Sequence, residues 1–251
     1  MRRRQRCLPS LEPGLIQTVP EIPSTNAALL ARVAGGESIP EDTWLVADRQ
    51  IAGRGRAGRA WSDGLGNFMG STVVALRAVG PMPQTLALVA GLAVHKAVMA
   101  CAPGLSAVML KWPNDLLVGG AKLAGILLER QRDTVVVGIG VNLAQAPAVP
   151  DRSTTCLSAL GYDIARDDFA TVLAQQWSEA LMRWHLGEWP LLREQWLARA
   201  HPVGSLITVK DRDQGTIMGA FGGIDADGVA LLRLADGATR AIHAGDIEMV
   251  G

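Results

Sequence analysis

Between Gly53 and Arg59 the chain reads Gly-Arg-Gly-Arg-Ala-Gly-Arg, so Arg54, Arg56 and Arg59 alternate with very small residues. Glycine lets the backbone approach a ligand closely, exposed N–H groups can line an anion, and the arginines bring charge. Such a loop is suited to holding a polyanion. The same spacing satisfies G-x-G-x-x-G, which in a dinucleotide fold requires a helix starting at the loop and an acid about 20 residues later. Here Trp61-Ser62-Asp63-Gly64-Leu65-Gly66 follows, which is poor helix material, and no Asp or Glu occurs from Gly64 to Asn114. A dinucleotide fold is therefore rejected. Two other readings stay open on the residues alone: an arginine–glycine segment for nucleic-acid phosphates, usually repeated but present once here, and an ordinary solvated basic loop.

Further along, Lys111 and Asp115 flank Trp112-Pro113-Asn114, a turn in which proline fixes the backbone. Asp115 can accept a proton or simply cap that turn. Lys122 begins an apolar strand, where a lysine is ordinarily solvated. Ser24-Thr25-Asn26 precedes an apolar run and reads as a helix cap, with either hydroxyl also able to meet a ligand. Gly125, Gly138 and Gly140 stand in strands, where glycine marks a bulge or a close approach. His95, His185, His201 and His243 form no ligand pattern, so no protein-bound metal is expected.

Four segments in order resemble biotin–protein ligases. Gln50 to Trp61 is similar to that family's adenylate-binding loop, and Lys111-Trp112-Pro113-Asn114-Asp115-Leu116 resembles its K-W-P-N-D segment. Lys122-Leu123-Ala124-Gly125-Ile126-Leu127 resembles K-L-A-G-I-L, and Gly138 to Leu143 the glycine-rich strand that ends in Asn. Each is weak alone; together they cover Ser24 to Asn142, with a looser likeness in the helical region and the β tail. Ala57 stands where the family commonly has arginine, which lowers the charge the loop brings. No winged-helix segment precedes Ser24, so the resemblance is to a short form without a DNA-binding domain, and DNA binding is not expected.

The resemblance implies that biotin and ATP, the latter as its Mg²⁺ complex, give biotinyl-adenylate, and that a biotin carboxyl carrier domain then accepts the acyl group on a lysine. Two anions meet in the first step, so positive charge must be supplied there. Lys122, Arg56, Lys111 and Asp115 are the implied catalytic residues. Ser24, Thr25, Asn26, Gln50, Arg54, Gly55, Arg56, Lys122, Gly125, Gly138 and Gly140 would hold biotin. Arg54, Arg56, Arg59, Trp61, Lys111, Asn114 and Asn142 would hold ATP. Lipoate or octanoate ligation on a related fold is the alternative chemistry.

These residues need elements to hold them. Ser24 caps a helix that stops at Gly35-Gly36. Strands are predicted at 43–47, 68–76, 107–110, 116–118, 123–129 and 134–141, with a buried helix over 83–101 and helices over 167–186 and 190–200. Beyond Pro202 short strands at 206–209, 216–221, 229–234 and 239–242 are split by Gly and Asp turns, and a small SH3-like β-barrel is expected. The fold class is α+β, a mixed β-sheet with packed helices, which the resemblance extends to a class II aminoacyl-tRNA synthetase-like catalytic domain over 1–202 with the β domain over 203–251.

The bulk numbers agree with an enzyme of this size. Half of the 251 residues are hydrophobic, enough for a sizeable core. Net charge is zero, which argues against a surface built wholly for nucleic acid. Cys7, Cys101 and Cys156 lack disulfide or metal spacing, and a reducing cytoplasm is expected. Arg2, Arg3, Arg4 and Arg6 are not followed by the apolar stretch of an export signal. The apolar run 86–94 is too short to span a bilayer, so no membrane partner is expected. The oligomeric state is not readable, and a homodimer stays open.

Overall fold

The computed structural model describes residues 15–62, 64–149, 152–211, 215–243, 245 and 247–249. Cys7 and the arginine-rich start lie outside them. The elements run β1 (Ile16–Ile22), α1 (Thr25–Ala34), β2 (Trp44–Gln50), β3 (Phe68–Ala75), α2 (Thr85–Cys101), β4 (Val108–Lys111), β5 (Asp115–Val118), β6 (Ala121–Gln131), β7 (Thr134–Val141), α3 (Arg166–His185) and α4 (Trp189–Leu197). After them come β8 (Leu206–Asp211), β9 (Gly215–Ile224), β10 (Ala230–Arg233), β11 (Thr239–Ile242) and β12 (Ile247–Met249).

Strands β1 to β7 form one mixed sheet in the order β1-β2-β3-β7-β6-β5-β4. Only the β1–β2 pair is parallel. Side chains alternate between its faces. Trp44, Val46, Phe68, Val137 and Ile139 join the core made with α2 and α3, while Leu45, Val73 and Val136 pack with Leu29 of α1. Helix α2 is buried on nearly every side because it lies between the sheet and both α3 and α4. Edge-on aromatic contacts tie sheet to helix: Trp44 meets Trp177 at 6.4 Å between ring centroids, and Phe68 meets Phe169 at 5.7 Å. The helical tryptophans Trp177, Trp184, Trp189 and Trp196 are all buried, as their spacing predicts.

Strand β1 is a difference from the sequence reading, which left 16–22 unassigned. It is a half-exposed edge strand containing Pro20, which has no N–H to donate and takes no partner in the register. The second sheet is antiparallel in the order β11-β10-β9-β8-β12. It is open: its edge strands β11 and β12 do not pair, so the expected closed barrel is not formed among the described residues. Strand β12 has three residues and spends its pairing on β8.

Tryptophan N–H groups fasten this sheet to the rest. Trp112 Nε1 donates to the Gly228 carbonyl at 3.0 Å and Trp189 Nε1 to that of Ala226 at 2.6 Å. Arg193 Nε donates to the Ile224 carbonyl at 2.9 Å. Among the described residues no helix is long and apolar enough to cross a membrane.

Candidate active site

A cavity of about 330 Å³ opens on the α1 face of the large sheet, bounded by the first turn of α1, the arginine–glycine loop, β3, β6, β7 and the segment around 147–154. Its polar end is built at the α1 N-terminus. Ser24 Oγ caps the helix by accepting from Ala27 N at 3.4 Å, which leaves Thr25 and Asn26 buried in the first turn. Thr25 N donates to Gln50 Oε1 at 2.7 Å, so the end of β2 is tied to the helix start.

The floor is a strip of strand glycines. A Cβ on Gly138 would lie 2.2 Å from Asn26 Oδ1, and one on Gly140 2.3 Å from the Trp61 ring. One on Gly125 would lie 3.0 Å from that ring and 3.1 Å from Lys122 Nζ. No side chain fits at these positions without displacing its neighbour. Trp61 thus packs against Gly125 and Gly140, its Nε1 buried without a partner, while Gly138 makes room for Asn26.

Lys122 reaches the cavity through a β-bulge. Asp115 pairs with Gly125 and Leu116 with Ala124, but Leu117 pairs with Lys122, so Leu123 is extra. The extra residue reverses the alternation and brings Lys122 to the same face as Gly125 and Asp115. Its ammonium donates to Asp115 Oδ1 at 2.7 Å and lies 5.6 Å from the centroid of the Trp61 ring.

The arginine–glycine loop folds back on itself. Gly55 N donates to the Arg59 carbonyl at 2.7 Å and Trp61 N to that of Gly53 at 2.9 Å, with Ala57 and Gly58 in left-handed backbone. Arg56 then donates to Asn114 Oδ1 at 3.0 Å, and Asn114 Nδ2 to the Ile126 carbonyl at 2.7 Å. The loop is therefore closed on the Trp112-Pro113-Asn114 turn. Arg54, Arg56, Arg59, Lys122 and Arg152 line the cavity, against Asp115 as the one carboxylate among the described lining residues. An anion is strongly favoured in such a field.

The family model described as Biotin/lipoate A/B protein ligase family matches residues 19–143, and that described as Biotin protein ligase C terminal domain matches 204–250. A Paracoccus denitrificans protein named biotin–[acetyl-CoA-carboxylase] ligase is 37% identical over 224 residues, 84% of this chain and 90% of that one. The chain belongs to the biotin/lipoate A/B protein ligase family. A Mycobacterium tuberculosis relative of the same name is 36% identical over 239 residues, 92% of this chain and 88% of its own. Among solved structures, a biotin protein ligase from Aquifex aeolicus in complex with biotin and ATP superposes with a TM-score of 0.80 at 27% identity, covering 93% of this chain and 97% of that one.

The cavity gathers nearly all the residues singled out from sequence: Ser24, Thr25, Asn26, Gln50, Arg54, Gly55, Arg56, Arg59, Trp61, Asn114, Asp115, Lys122, Gly125, Gly138, Gly140 and Asn142. Lys111 is set apart. It sits on β4 directly across from Asp115 and does not line the cavity; its charge falls instead on buried His201. Asn142 spends its amide on the Thr155 carbonyl at 3.1 Å.

Several contributors were not read from the sequence. Ser71 lines the cavity from within the apolar strand β3. Asn67 pins the chain just after β7 by accepting from Ala144 N and Gln145 N at 2.9 and 3.0 Å. Lys122 N donates to the Ser153 carbonyl at 2.8 Å, and Pro147, Val149 and Arg152 line the opening. Glu129 stands one alternation beyond Leu127, so strand period alone places it on the cavity face.

Proposed function

We propose that this chain is an ATP-dependent biotin–protein ligase that works through biotinyl-adenylate. The observation that carries the reading is a single cavity joining neutral hydrogen-bonding groups (Ser24, Thr25 and Gln50) to five cationic side chains. A cyclic urea at one end of an acid and the phosphates of a nucleotide need those two environments. The comparisons support the same chemistry, since relatives matched over most of their length carry that activity in their names.

In the first step a carboxylate oxygen of biotin bonds to the α-phosphorus of ATP, and the bond to pyrophosphate breaks. Lys122 neutralises the two approaching anions, while Arg54, Arg56 and Arg59 hold phosphate oxygens. Mg²⁺ enters with ATP as part of the substrate. Trp61 and Asn142 flank the adenylate, and Ser24, Thr25 and Gln50 meet biotin's ureido group. Closure of the loop on Asn114 keeps water from the mixed anhydride.

In the second step a carrier lysine's neutral amine bonds to the acyl carbon and AMP departs with the anhydride oxygen. Asp115 orients that amine or takes its proton. The acceptor is a biotin carboxyl carrier domain. The catalytic unit spans 1–202 and the β domain 203–251, the latter bracing the Trp112 turn. Commitment of Arg56 to Asn114 and of Arg54 to Glu129 favours this reading over nucleic-acid binding.

Mixing the chain with ATP, biotin and a carrier domain tests it. One biotinyl group should appear on a single carrier lysine, with one pyrophosphate released per group. A carrier left unmodified while pyrophosphate is released would reject it as the acceptor.

A further inference from the structure

Glu129 lies outside the cavity wall yet holds two of its parts. Its carboxylate accepts from Asn26 Nδ2 at 2.9 Å and pairs with Arg54 at 3.1 Å. Asn26 is buried, and its Oδ1 accepts from Ser71 Oγ at 2.6 Å. The Ser71 and Thr25 hydroxyls are 2.7 Å apart, and Thr25 meets Gln50 through its N–H. A continuous polar chain thus runs from Arg54 in the loop, under the cavity, back to Gln50 where the loop begins.

Counting protons gives the chain a direction. A carboxylate paired with a guanidinium can only accept, so Asn26 must turn its NH₂ to Glu129 and its oxygen to Ser71. Ser71 has one proton, and Asn26 takes it. The short Thr25–Ser71 contact must then use the Thr25 proton. The longer Thr25 Oγ1–Gln50 Oε1 contact of 3.1 Å is left without it, and Gln50 keeps the Thr25 N–H at 2.7 Å. Thr25 Oγ1 therefore faces the cavity with lone pairs only.

We propose that Glu129 is a positioning residue for substrate recognition. It fixes the hydrogen-bond direction of the Asn26–Ser71–Thr25 chain, so that Thr25 accepts from a substrate N–H, and it anchors Arg54 at the base of the loop. The first role selects a head group with N–H donors, such as a urea, over an apolar or disulfide ring of equal width; naming that donor biotin rests on the function proposed above. The second role needs no substrate.

Glu129→Gln leaves shape nearly unchanged but lets the amide present either atom to Asn26 and removes the ion pair. Its biotin dissociation constant should rise roughly tenfold, the effect of losing one charge-assisted hydrogen bond. Limited trypsin digestion without ligand should cut it faster after Arg54, Arg56 and Arg59 than the unaltered chain. Ser71→Ala breaks the chain beyond Asn26, and should weaken biotin similarly while leaving those cuts slow. Glu129→Asp, which still only accepts, should fall between Glu129→Gln and the unaltered chain, and it carries the test if Glu129→Gln does not fold. Unaltered biotin affinity in Glu129→Gln and Ser71→Ala overturns the directional role, and equal cutting overturns the anchor. If the unaltered chain binds no biotin, the substrate reading falls, while faster cutting of Glu129→Gln still upholds the anchor.

Discussion

Lys122 and Asp115 are joined at 2.7 Å across β5 and β6 because one extra residue, Leu123, turns the lysine to the cavity face. Their side chains keep 21% and 11% of their exposure, so the pair is partly dry and its charges act more strongly than in water. A lysine so held costs little to reorganise when two anions arrive, which is how a preorganised site lowers a barrier.

Lys122→Ala should cut adenylate formation by about 100-fold or more, the scale seen when one electrostatic donor is removed from a reacting centre. The fold should survive, since the partner Asp115 keeps partial contact with water. Pyrophosphate release and far-ultraviolet circular dichroism check the two halves. Near-normal release from a folded variant rules out the role given to Lys122.

Arg56→Ala should weaken loop closure, because the 3.0 Å bond to Asn114 is lost. Adenylate would then escape, and bystander lysines on unrelated proteins would become biotinylated. Blotting a protein mixture for biotin reads this out; labelling confined to the carrier domain counts against the closed loop as the shield.

Trp112 and Gly228 form the third test. Gly228 has φ +80°, and a Cβ there would lie 3.1 Å from Leu88 and 3.2 Å from Thr85. Gly228→Val should destabilise the protein by about 1–3 kcal/mol through backbone strain and crowding. Trp112→Phe should cost a similar ~1–3 kcal/mol by leaving the Gly228 carbonyl unsatisfied. Both should also raise the KM for ATP, because Trp112 opens the turn that holds Arg56 through Asn114. Thermal melts with ATP titrations distinguish this from a loss of stability alone.

Acid should weaken the fold through two histidines. Burial is the main cause holding His95 at about 4, with Arg199 and Lys96 adding repulsion; burial and then Lys111 push His201 down. The unfolded chain therefore takes up protons near its ordinary 6.5 that the folded chain refuses. The stability is complete above that value and is lost as pH falls through the window toward 4. Melting temperature should drop between about pH 7 and pH 5, and His95→Gln should flatten part of the slope. An unchanged slope in that variant would assign the acid sensitivity elsewhere.

Much of the site was legible because its residues sit in short contiguous motifs: Lys122, Asp115, Arg56 and the three floor glycines all carry local signals. What escaped depends on distant pairing. Ser71 is hidden in a run of buried β-branched residues, and Asn67 matters only through backbone groups 77 and 78 positions away. The Leu123 bulge is a matter of register between strands, which no spacing within one strand records. Strand β1 was masked by Pro20, and β12 is too short to stand out. Lys111 carries the same motif signal, yet it does not line the cavity, although it pairs with Asp115 across β4 and β5.

The most direct measurement is mass spectrometry of the acyl-adenylate formed from the purified chain with MgATP and, separately, biotin, lipoate or octanoate. Biotinyl-adenylate, with no adduct from the other two acids, is the expected result. Lipoyl- or octanoyl-adenylate in its place would keep the mechanism and contradict the substrate, and no adenylate from folded protein would contradict the account as a whole.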